Sequence, residues 1–246
     1  MNVDLEDLAD GYNHRPISVA SLARARRAAA SVRLRRGDVA VDIGGGRGRH
    51  AAEWTKSEAR PIVVDPARGM LQAARAEPGV VPVCGVAQAL PFAGGTARLS
   101  YFHLSIHYGD WRLALDEAMR VSADGAECWI WTMGEEHHRA SFLAKWFPSV
   151  GEIDSVRFPD PALLADYLGA RGCEVETGKE TELKVMRAGT WRAAVEARFV
   201  STLQLLSPDE LARGLVHFDR ANPDPNAPVD YVLTFDWIRA VVKPLQ

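Results

Sequence analysis

The chain has 246 residues, of which 47% are hydrophobic and 25% are charged. This length and apolar content are enough for one well-buried α/β domain with an appendage. A formal net charge of −3 and a sequence pI of about 6.2 argue against a general electrostatic attraction to nucleic acid or to an anionic membrane.

The N-terminal segment 1–7 is acidic and has no apolar centre, so a secretory signal is not expected. No uninterrupted apolar stretch approaches the ~20 residues that a membrane-spanning helix needs. Cys84, Cys128 and Cys173 are far apart and lie in strand-like runs, which indicates buried and reduced thiols. These features predict a cytoplasmic protein that does not act at a membrane.

The first predicted element is a helix over residues 17–35, which ends at Gly37. The same segment is rich in arginine, at positions Arg24, Arg26, Arg27, Arg33, Arg35 and Arg36. Plotted at the helical period, these side chains spread around much of the circumference instead of forming one stripe. They therefore predict a solvated helix surface rather than an RNA-binding one.

Strand and helix patterns alternate from Asp38 onward. Strands are predicted at 38–43, 60–65, 80–84, 98–105 and 126–132, and helices from about 48, at 67–76 and at 110–121. This alternation predicts a mostly parallel sheet with helices on both faces, whose ligand binds at the carboxyl ends of the strands.

The pattern changes beyond residue 133. A helix is predicted at 161–170, a strand from Cys173, two helices between 190 and 220, and a final strand over 231–237. Ser207 and Pro208 form a typical N-cap and first-turn proline for the second of the two helices. The two helices therefore form an insert between the last two strands.

A glycine-rich turn follows the first predicted strand. Counted from Gly44, the dinucleotide-binding spacing G-x-G-x-x-G fails, because Arg49 stands where the third glycine is needed. An acid before the turn, Asp42, and a second acid that ends the next strand, Asp65, complete the pattern. Asp65 lies about 20 residues beyond the first glycine, where nucleoside-binding enzymes hold a ribose.

The series Asp42-x-Gly44-x-Gly46-x-Gly48 resembles motif I of class I S-adenosylmethionine-dependent methyltransferases. Four further segments resemble signatures of the small-molecule (type 11-like) members in family order: Met70-Leu71, Cys84 to Phe92, Ser100 to Tyr108, and Glu117 to Gly125. Their ordered occurrence between Gly37 and about Met133 identifies the chain as a member of that family.

The resemblance implies a Rossmann-like, mostly parallel seven-stranded sheet with helices on both faces and an antiparallel last strand. It divides the chain into an N-terminal helical cap over 1–36, a cofactor-binding core over 37–188, a helical substrate lid over 189–228, and a final strand over 229–246. The implied cofactor is S-adenosyl-L-methionine, with S-adenosyl-L-homocysteine as product.

The resemblance also implies the cofactor contacts. Asp65 binds the ribose, the glycine turn takes the amino-acid portion, Met70 and Ala87 flank the adenine, and His103 lies at the methionine moiety. The full predicted set is Tyr12, Asp42, Gly44, Gly45, Gly46, Asp65, Pro66, Met70, Val86, Ala87, Phe102 and His103.

Three positions depart from the family pattern. Val86 stands where the family usually has an aspartate that binds the adenine amino group, so adenine recognition is expected to use backbone groups around Ala87. Arg98 replaces an acid before the fourth strand, and Ala126 replaces a glycine before the fifth. These two changes are expected to affect local packing rather than chemistry.

Methyl transfer from a sulfonium is a direct displacement, and a base is needed only where the acceptor must lose a proton. His107, at the exit of the fourth strand, is the predicted base, with a structural role in the loop as the alternative. His103 has a core role as its alternative, and His137 and His138 are expected in an exposed loop. No metal is expected, because no carboxylate or cysteine accompanies these histidines at ligand spacing.

Aromatic residues cluster in the regions expected around the acceptor: Tyr108, Trp111, Trp131, Trp146, Phe147 and Trp191. The predicted function is therefore methylation of an O, N or C nucleophile on a small, apolar or aromatic acceptor. The alternatives are an RNA methyltransferase anchored by the arginine-rich helix, a cofactor-binding protein that does not methylate, and, more distantly, a nicotinamide dehydrogenase. Nucleic acid is not the expected partner, and the oligomeric state stays open.

Overall fold

The computed structural model describes residues 3–6 and 18–243 of the chain. Its first half alternates strands and helices. The elements are α1 (Val19–Ser31), β1 (Val39–Ile43), α2 (Arg49–Ala52), a 3-10 helix (Glu53–Ser57), β2 (Arg60–Asp65), α3 (Arg68–Ala74), β3 (Val81–Cys84), β4 (Ala97–His103), α4 (Trp111–Val121) and β5 (Ser122–Thr132).

Side-chain caps fix the start of the longer helices in this half. The Ser18 hydroxyl accepts a hydrogen bond from the Ser21 N–H at the start of α1. The Asp110 carboxylate does the same for α4, where it accepts from the N–H groups of Arg112 and Leu113. Helix α4 then buries one apolar face, which consists of Ala114, Leu115, Ala118 and Val121.

The second half contains α5 (Glu135–Arg139), α6 (Phe142–Trp146), α7 (Ser149–Arg157), α8 (Pro161–Gly169), β6 (Glu174–Arg187), α9 (Ala188–Glu196), a second 3-10 helix (Ser201–Leu205), α10 (Pro208–Ala221) and β7 (Pro228–Val241). The first of the two helices predicted between residues 190 and 220 is interrupted. Helix α9 ends at Glu196, and Arg198 adopts a left-handed φ of 52° before the 3-10 helix begins. Apolar residues on both sides of the break are nevertheless buried: Trp191, Val195, Leu203 and Leu206.

The seven strands form one sheet in the order β3-β2-β1-β4-β5-β7-β6. Strands β1 to β5 pair in parallel, and β7 pairs with β5 in antiparallel orientation. The predicted Rossmann-like, mostly parallel seven-stranded fold is therefore confirmed. The strand order reverses between β1 and β4, which places a ligand crevice at the carboxyl ends of these two strands.

The chain divides into two compact units, each with a hydrophobic core of its own. The sheet unit comprises the described parts of 17–132, 159–179 and 236–246, and the insert unit comprises those of 1–16, 133–158 and 180–235. In the sheet unit, β1, β4 and β5 pack against α4 and α8. The core of the insert unit is built around three aromatic residues, Phe147, Trp191 and Phe218.

The cysteines do not share one environment, so the prediction of three buried thiols is wrong for Cys84. Cys128 is buried and Cys173 is partly buried, but Cys84 is exposed because it ends β3, the outermost strand of the sheet. Burial raises the pKa of the Cys128 thiol, which keeps it protonated and unreactive.

Arg98 has a structural role at the start of β4. Its guanidinium donates hydrogen bonds to the carbonyls of Gly125, at 2.7 Å, and Asp124, at 3.3 Å. These bonds tie the beginning of β4 to the bend in β5, which accounts for an arginine where the family usually has an acid.

Helix α10 offers a test of packing in the insert unit. A Cβ on Gly214 would lie 2.2 Å from Cε1 of the fully buried Phe147. We predict that Gly214→Ala lowers the free energy of unfolding by about 1–3 kcal/mol, since overpacking forces the neighbours to shift. The matched control is Gly169→Ala in α8, where a Cβ meets nothing within 4 Å. Urea denaturation measures both variants, and equal effects would contradict the packing described here.

Candidate cofactor site

The turn between β1 and α2 is too crowded for side chains. Gly44, Gly46 and Gly48 have left-handed φ values of 67°, 54° and 75°. A Cβ on Gly44 would lie 2.6 Å from the Cβ of Ser105, and one on Gly45 would lie 2.4 Å from the Cγ of Asp42. Only glycine fits at these positions, so the backbone itself forms the surface of the turn.

Hydrogen bonds hold this turn against its neighbours. The Gly44 N–H donates to the Val64 carbonyl of β2 at 2.7 Å. The Ser105 hydroxyl, which follows β4, donates to the Ile43 carbonyl at 2.6 Å. Sequence analysis did not single out Ser105, although a small polar residue just after β4 was the available signal. The turn is thus fixed from both sides before any ligand enters, which favours binding.

Asp65 lies at the carboxyl end of β2, beside the turn. Its carboxylate accepts hydrogen bonds from the Gly46 N–H and the Ala67 N–H, both at 2.9 Å. These bonds fix the orientation of the carboxylate, and a carboxylate can accept roughly four in all. The structure therefore places the predicted ribose-binding residue in contact with the predicted amino-acid-binding turn.

Asp42 lies beneath the turn and is only 1% exposed. Within the described chain, neither of its carboxylate oxygens has a hydrogen-bond partner of ordinary geometry. Burial, and secondly the charge of Asp65, raise the pKa of Asp42 to about 8, which the nearby Ala51 amide offsets only in part. An acid in this position suits a ligand that brings a positive charge.

The predicted adenine side is formed by α3 and the loop after β3. Met70 is buried, and its sulfur would lie 3.5 Å from a Cβ on Gly46. Pro66 is exposed, Val86 is 44% exposed, and Ala87 is half-buried against the core. Met70 therefore lies beside the turn, and Pro66 directly follows Asp65.

The loop at Leu90 and Phe92 is held by a pair on α4. Glu117 accepts a hydrogen bond from the Leu90 N–H at 2.8 Å. Arg120 donates to the carbonyls of Leu90, at 3.0 Å, and Phe92, at 2.9 Å. The family-like segments Cys84 to Phe92 and Glu117 to Gly125 are thus two sides of one contact, which explains why the sequence carries both.

The candidate residues at the exit of β4 differ in burial and in contacts. Phe102 is fully buried in the sheet-unit core, so its side chain exposes no surface to a ligand. His103 is half-buried, with its ring 4.4 Å from that of His50. Leu104 has a left-handed φ of 54°, and the ring of half-buried His107 lies 4.2 Å from that of Tyr108, tilted by 37°. The strained backbone turns the chain at the end of the strand.

The sequence did not single out His50 as a site residue. Its Nε2 lies 2.8 Å from the Ser21 hydroxyl, so α1 and α2 meet at the ring that contacts His103. Tyr12, the remaining predicted cofactor residue, lies outside the described residues.

The prediction that His137 and His138 lie in an exposed loop is wrong. Both are buried in the insert unit, within α5, at 7% and 6% exposure. Nδ1 of His137 accepts a hydrogen bond from the Thr234 N–H at 3.2 Å. Burial and the neighbouring His138 lower the pKa of His137 to about 4, so it is neutral at pH 7. In the part of the chain that the structure describes, no three His, Cys, Asp or Glu side chains are arranged to hold a metal ion.

The prediction that the arginine-rich helix has a solvated surface is wrong for part of the helix. Arg24 is only 1% exposed, and its guanidinium lies 5.2 Å from the centre of the Trp131 ring. Arg27 lies 4.7 Å from the same ring, and Arg26 forms a 2.9 Å ion pair with Glu53. These contacts engage the positive charges within the sheet unit itself.

The aromatic residues predicted around the acceptor divide into two groups. Trp131, Phe147 and Trp191 are at most 1% exposed and belong to the cores of their units. Tyr108, Trp111 and Trp146 are half-buried and retain some exposed surface. Three of the six residues are therefore core residues and offer no surface to an acceptor.

These residues fit a cofactor that carries a ribose and a positive charge. The turn leaves room for backbone approach where a Cβ would collide, Asp65 is oriented at its edge, and the buried Asp42 oxygens lack a donor among the described residues. Of the described helices, none is long and apolar enough to cross a membrane.

Residues 41–130 match the protein-family model described as a methyltransferase domain. A search of curated protein sequences finds no significant match. Among solved structures, a protein from Anabaena variabilis has a similar fold and is named as a candidate methyltransferase of an antibiotic biosynthesis pathway. It has a TM-score of 0.69 and 19% identity, over 91% of this chain and 97% of that one.

Two further solved structures share the fold. The YcgJ protein of Bacillus subtilis has a TM-score of 0.65 and 15% identity, over 91% of this chain and 99% of that one. Geranyl diphosphate methyltransferase, solved with geranyl diphosphate and sinefungin, has a TM-score of 0.55 and 17% identity, over 89% of this chain and 77% of that one. At these identities the likeness shows a shared fold.

The crowding at the turn predicts that substitutions of two glycines affect cofactor affinity very differently. Gly44→Ala should lower cofactor affinity at least tenfold, because the new Cβ must displace Ser105 or the turn. Gly37→Ala is the control, since Gly37 is also left-handed, with φ 84°, but a Cβ there meets nothing within 4 Å. It should lose about 1 kcal/mol of stability and keep its affinity. Titration calorimetry compares them, and equal affinities would contradict the role of crowding.

The pKa of Asp42 predicts how stability depends on pH. Because this pKa is raised from 3.8 to about 8, the folded, cofactor-free protein holds a proton that the unfolded chain releases between those values. Its contribution to stability is full below about pH 4 and is lost as the pH rises to about 8, by at most about 1.4 kcal/mol per unit. Asp42→Asn removes this titration, so the variant should gain stability over the wild type with rising pH. Denaturation at pH 5 and at pH 8 measures the difference in unfolding free energy between the variant and the wild type. The same difference at both pH values would contradict this prediction.

Proposed function

We propose that this chain methylates an O, N or C nucleophile of a small, apolar or aromatic acceptor. Its matched domain and its fold identify it as a class I S-adenosylmethionine-dependent methyltransferase. The observation that carries this proposal is the contact between the side-chain-free turn and Asp65, in which the Gly46 N–H donates a 2.9 Å hydrogen bond to the Asp65 carboxylate. Half-buried aromatic residues support an apolar acceptor, and similar folds include a methyltransferase solved with geranyl diphosphate.

The cofactor supplies an activated methyl group, so the residues of the chain mainly bind and orient. Asp65 holds the ribose hydroxyls, and the side-chain-free backbone of the Gly44–Gly46 turn lies against the amino-acid portion. Met70 and Ala87 lie against the adenine, and backbone groups near Ala87 replace the carboxylate that Val86 lacks. Fixing the donor in this way favours in-line attack by an acceptor held about 3–3.5 Å from the methyl group.

His107 is proposed to remove a proton from the acceptor where the nucleophile carries one. It follows β4, whose carboxyl end adjoins the turn through Ser105, and an imidazole exchanges protons near neutral pH. The same ring contacts the ring of Tyr108, and this contact also suits a purely structural role. Kinetic measurements separate the two roles.

The RNA alternative has less support. Arg24, Arg26 and Arg27 contact Trp131 or Glu53, so the helix offers less free positive charge than its sequence indicates. RNA affinity with a steep salt dependence would favour this alternative. A cytoplasmic location stays a prediction.

The direct test is to bind radiolabelled S-adenosylmethionine to the protein and then to follow label transfer across a panel of phenols, amines, isoprenoid diphosphates and RNA. Saturable binding with transfer to a small acceptor is expected. Binding without transfer to any acceptor would favour the non-methylating alternative, and absence of binding would overturn the proposal.

With an acceptor in hand, His107→Gln should lower kcat by about 10²–10⁴-fold at pH 7 and leave the KM for the cofactor unchanged, because a base acts only on the acceptor. The acid limb of the pH–rate profile should disappear in this variant. His217→Gln, at an exposed position on α10, is the matched control and should behave as wild type. An unchanged kcat in His107→Gln would assign the residue a structural role.

A further inference from the structure

We propose that Asp42 carries a proton in the cofactor-free enzyme and releases it when the positively charged cofactor binds, so that cofactor affinity is coupled to proton release. This inference rests on the S-adenosylmethionine site described above and holds for any acceptor.

The first observation is the isolation of the Asp42 side chain. It is 1% exposed, and both of its oxygens are buried without a hydrogen-bond partner in the described chain. The backbone at Gly45 lies against the carboxyl group, where a Cβ would approach to 2.4 Å of Cγ. A buried carboxylate whose only donor contact is the weak one with the Ala51 amide has little to stabilise its negative charge, which favours the neutral acid.

The second observation is the charge of the surroundings. Strand β2 contributes Asp65, whose negative charge opposes ionisation of Asp42. Helix α2 contributes the Ala51 amide, which favours ionisation weakly. On β4, the residue paired with Asp42 is uncharged Tyr101. Burial and Asp65 thus outweigh the amide, and the pKa of Asp42 rises to about 8.

Asp65 differs from Asp42 in the way that the coupling needs. Two backbone amides donate to Asp65 and hold its carboxylate beside the turn, where it can accept ribose hydroxyls. Asp42 has only the weak contact with the Ala51 amide. A sulfonium and an ammonium entering the turn supply the missing positive charge, and an opposite charge within about 4–6 Å lowers a carboxyl pKa by roughly 1–3 units.

The test is isothermal titration calorimetry of S-adenosylmethionine at pH 6.5 in two buffers of different ionisation enthalpy. At this pH the α-amino group of the cofactor stays protonated and does not contribute to the exchange. We expect release of a substantial fraction of a proton, at most one, per bound cofactor, and an affinity that rises by up to tenfold per pH unit between about pH 6 and 7. Cofactor binding without proton exchange would overturn the inference and leave the proposed function intact.

Two controls locate the proton. Methylthioadenosine, which is uncharged, should bind without proton release. Asp42→Asn should bind S-adenosylmethionine without proton release, whereas Asp124→Asn, at an exposed position of β5, should release a proton as the wild type does. Equal release from Asp42→Asn would assign the proton to another group and overturn the inference. If Asp42→Asn fails to bind, the comparison of the two ligands on the wild type decides. Absence of cofactor binding by the wild type would overturn the proposed function and this inference with it.

Discussion

The lack of space at the turn between β1 and α2 is the constraint on which the rest of the site depends. Ser105 excludes a side chain at Gly44, and Asp42 excludes one at Gly45. The backbone can then approach Asp65 closely enough for the Gly46 amide to bind it. Three strands meet there, since β1 supplies Asp42, β2 supplies Asp65 and the exit of β4 supplies Ser105. Parallel pairing brings the carboxyl ends of these strands to one edge of the sheet, so the sheet topology itself assembles the site.

The two units obtain their stability in different ways. The sheet unit buries aliphatic strands against α4 and α8, as its sequence periodicity indicates. The insert unit combines an aromatic core with buried polar contacts. In that unit Arg157 donates to Ser201 and Thr202 at 3.0 Å, and Thr202 donates to Asp154 at 2.5 Å. Such contacts connect α7 to the 3-10 helix over long sequence separations, and local patterns do not reveal them.

Sequence reasoning succeeded where a structure repeats a period or needs a particular residue. Alternating strands and helices, the glycine series and the acid at the end of β2 all have local signatures, and the fold was predicted from them. It failed where burial is decided by distant residues. His137 and His138 are buried by packing within the insert unit, Arg24 is covered through its contact with Trp131, and Cys84 is exposed because β3 lies at the sheet edge. The isolation of Asp42 likewise follows from the folded turn, because sequence alone gives no count of hydrogen-bond donors.

The central claim is that the turn and Asp65 together hold the nucleoside and amino-acid parts of S-adenosylmethionine. A crystal structure of the protein grown with S-adenosylhomocysteine tests it most directly. The account predicts electron density along the Gly44–Gly46 backbone, with the two ribose hydroxyls within hydrogen-bond distance of the Asp65 carboxylate. Ligand density at another place in the molecule, with Asp65 making no contact to a ribose, would contradict it.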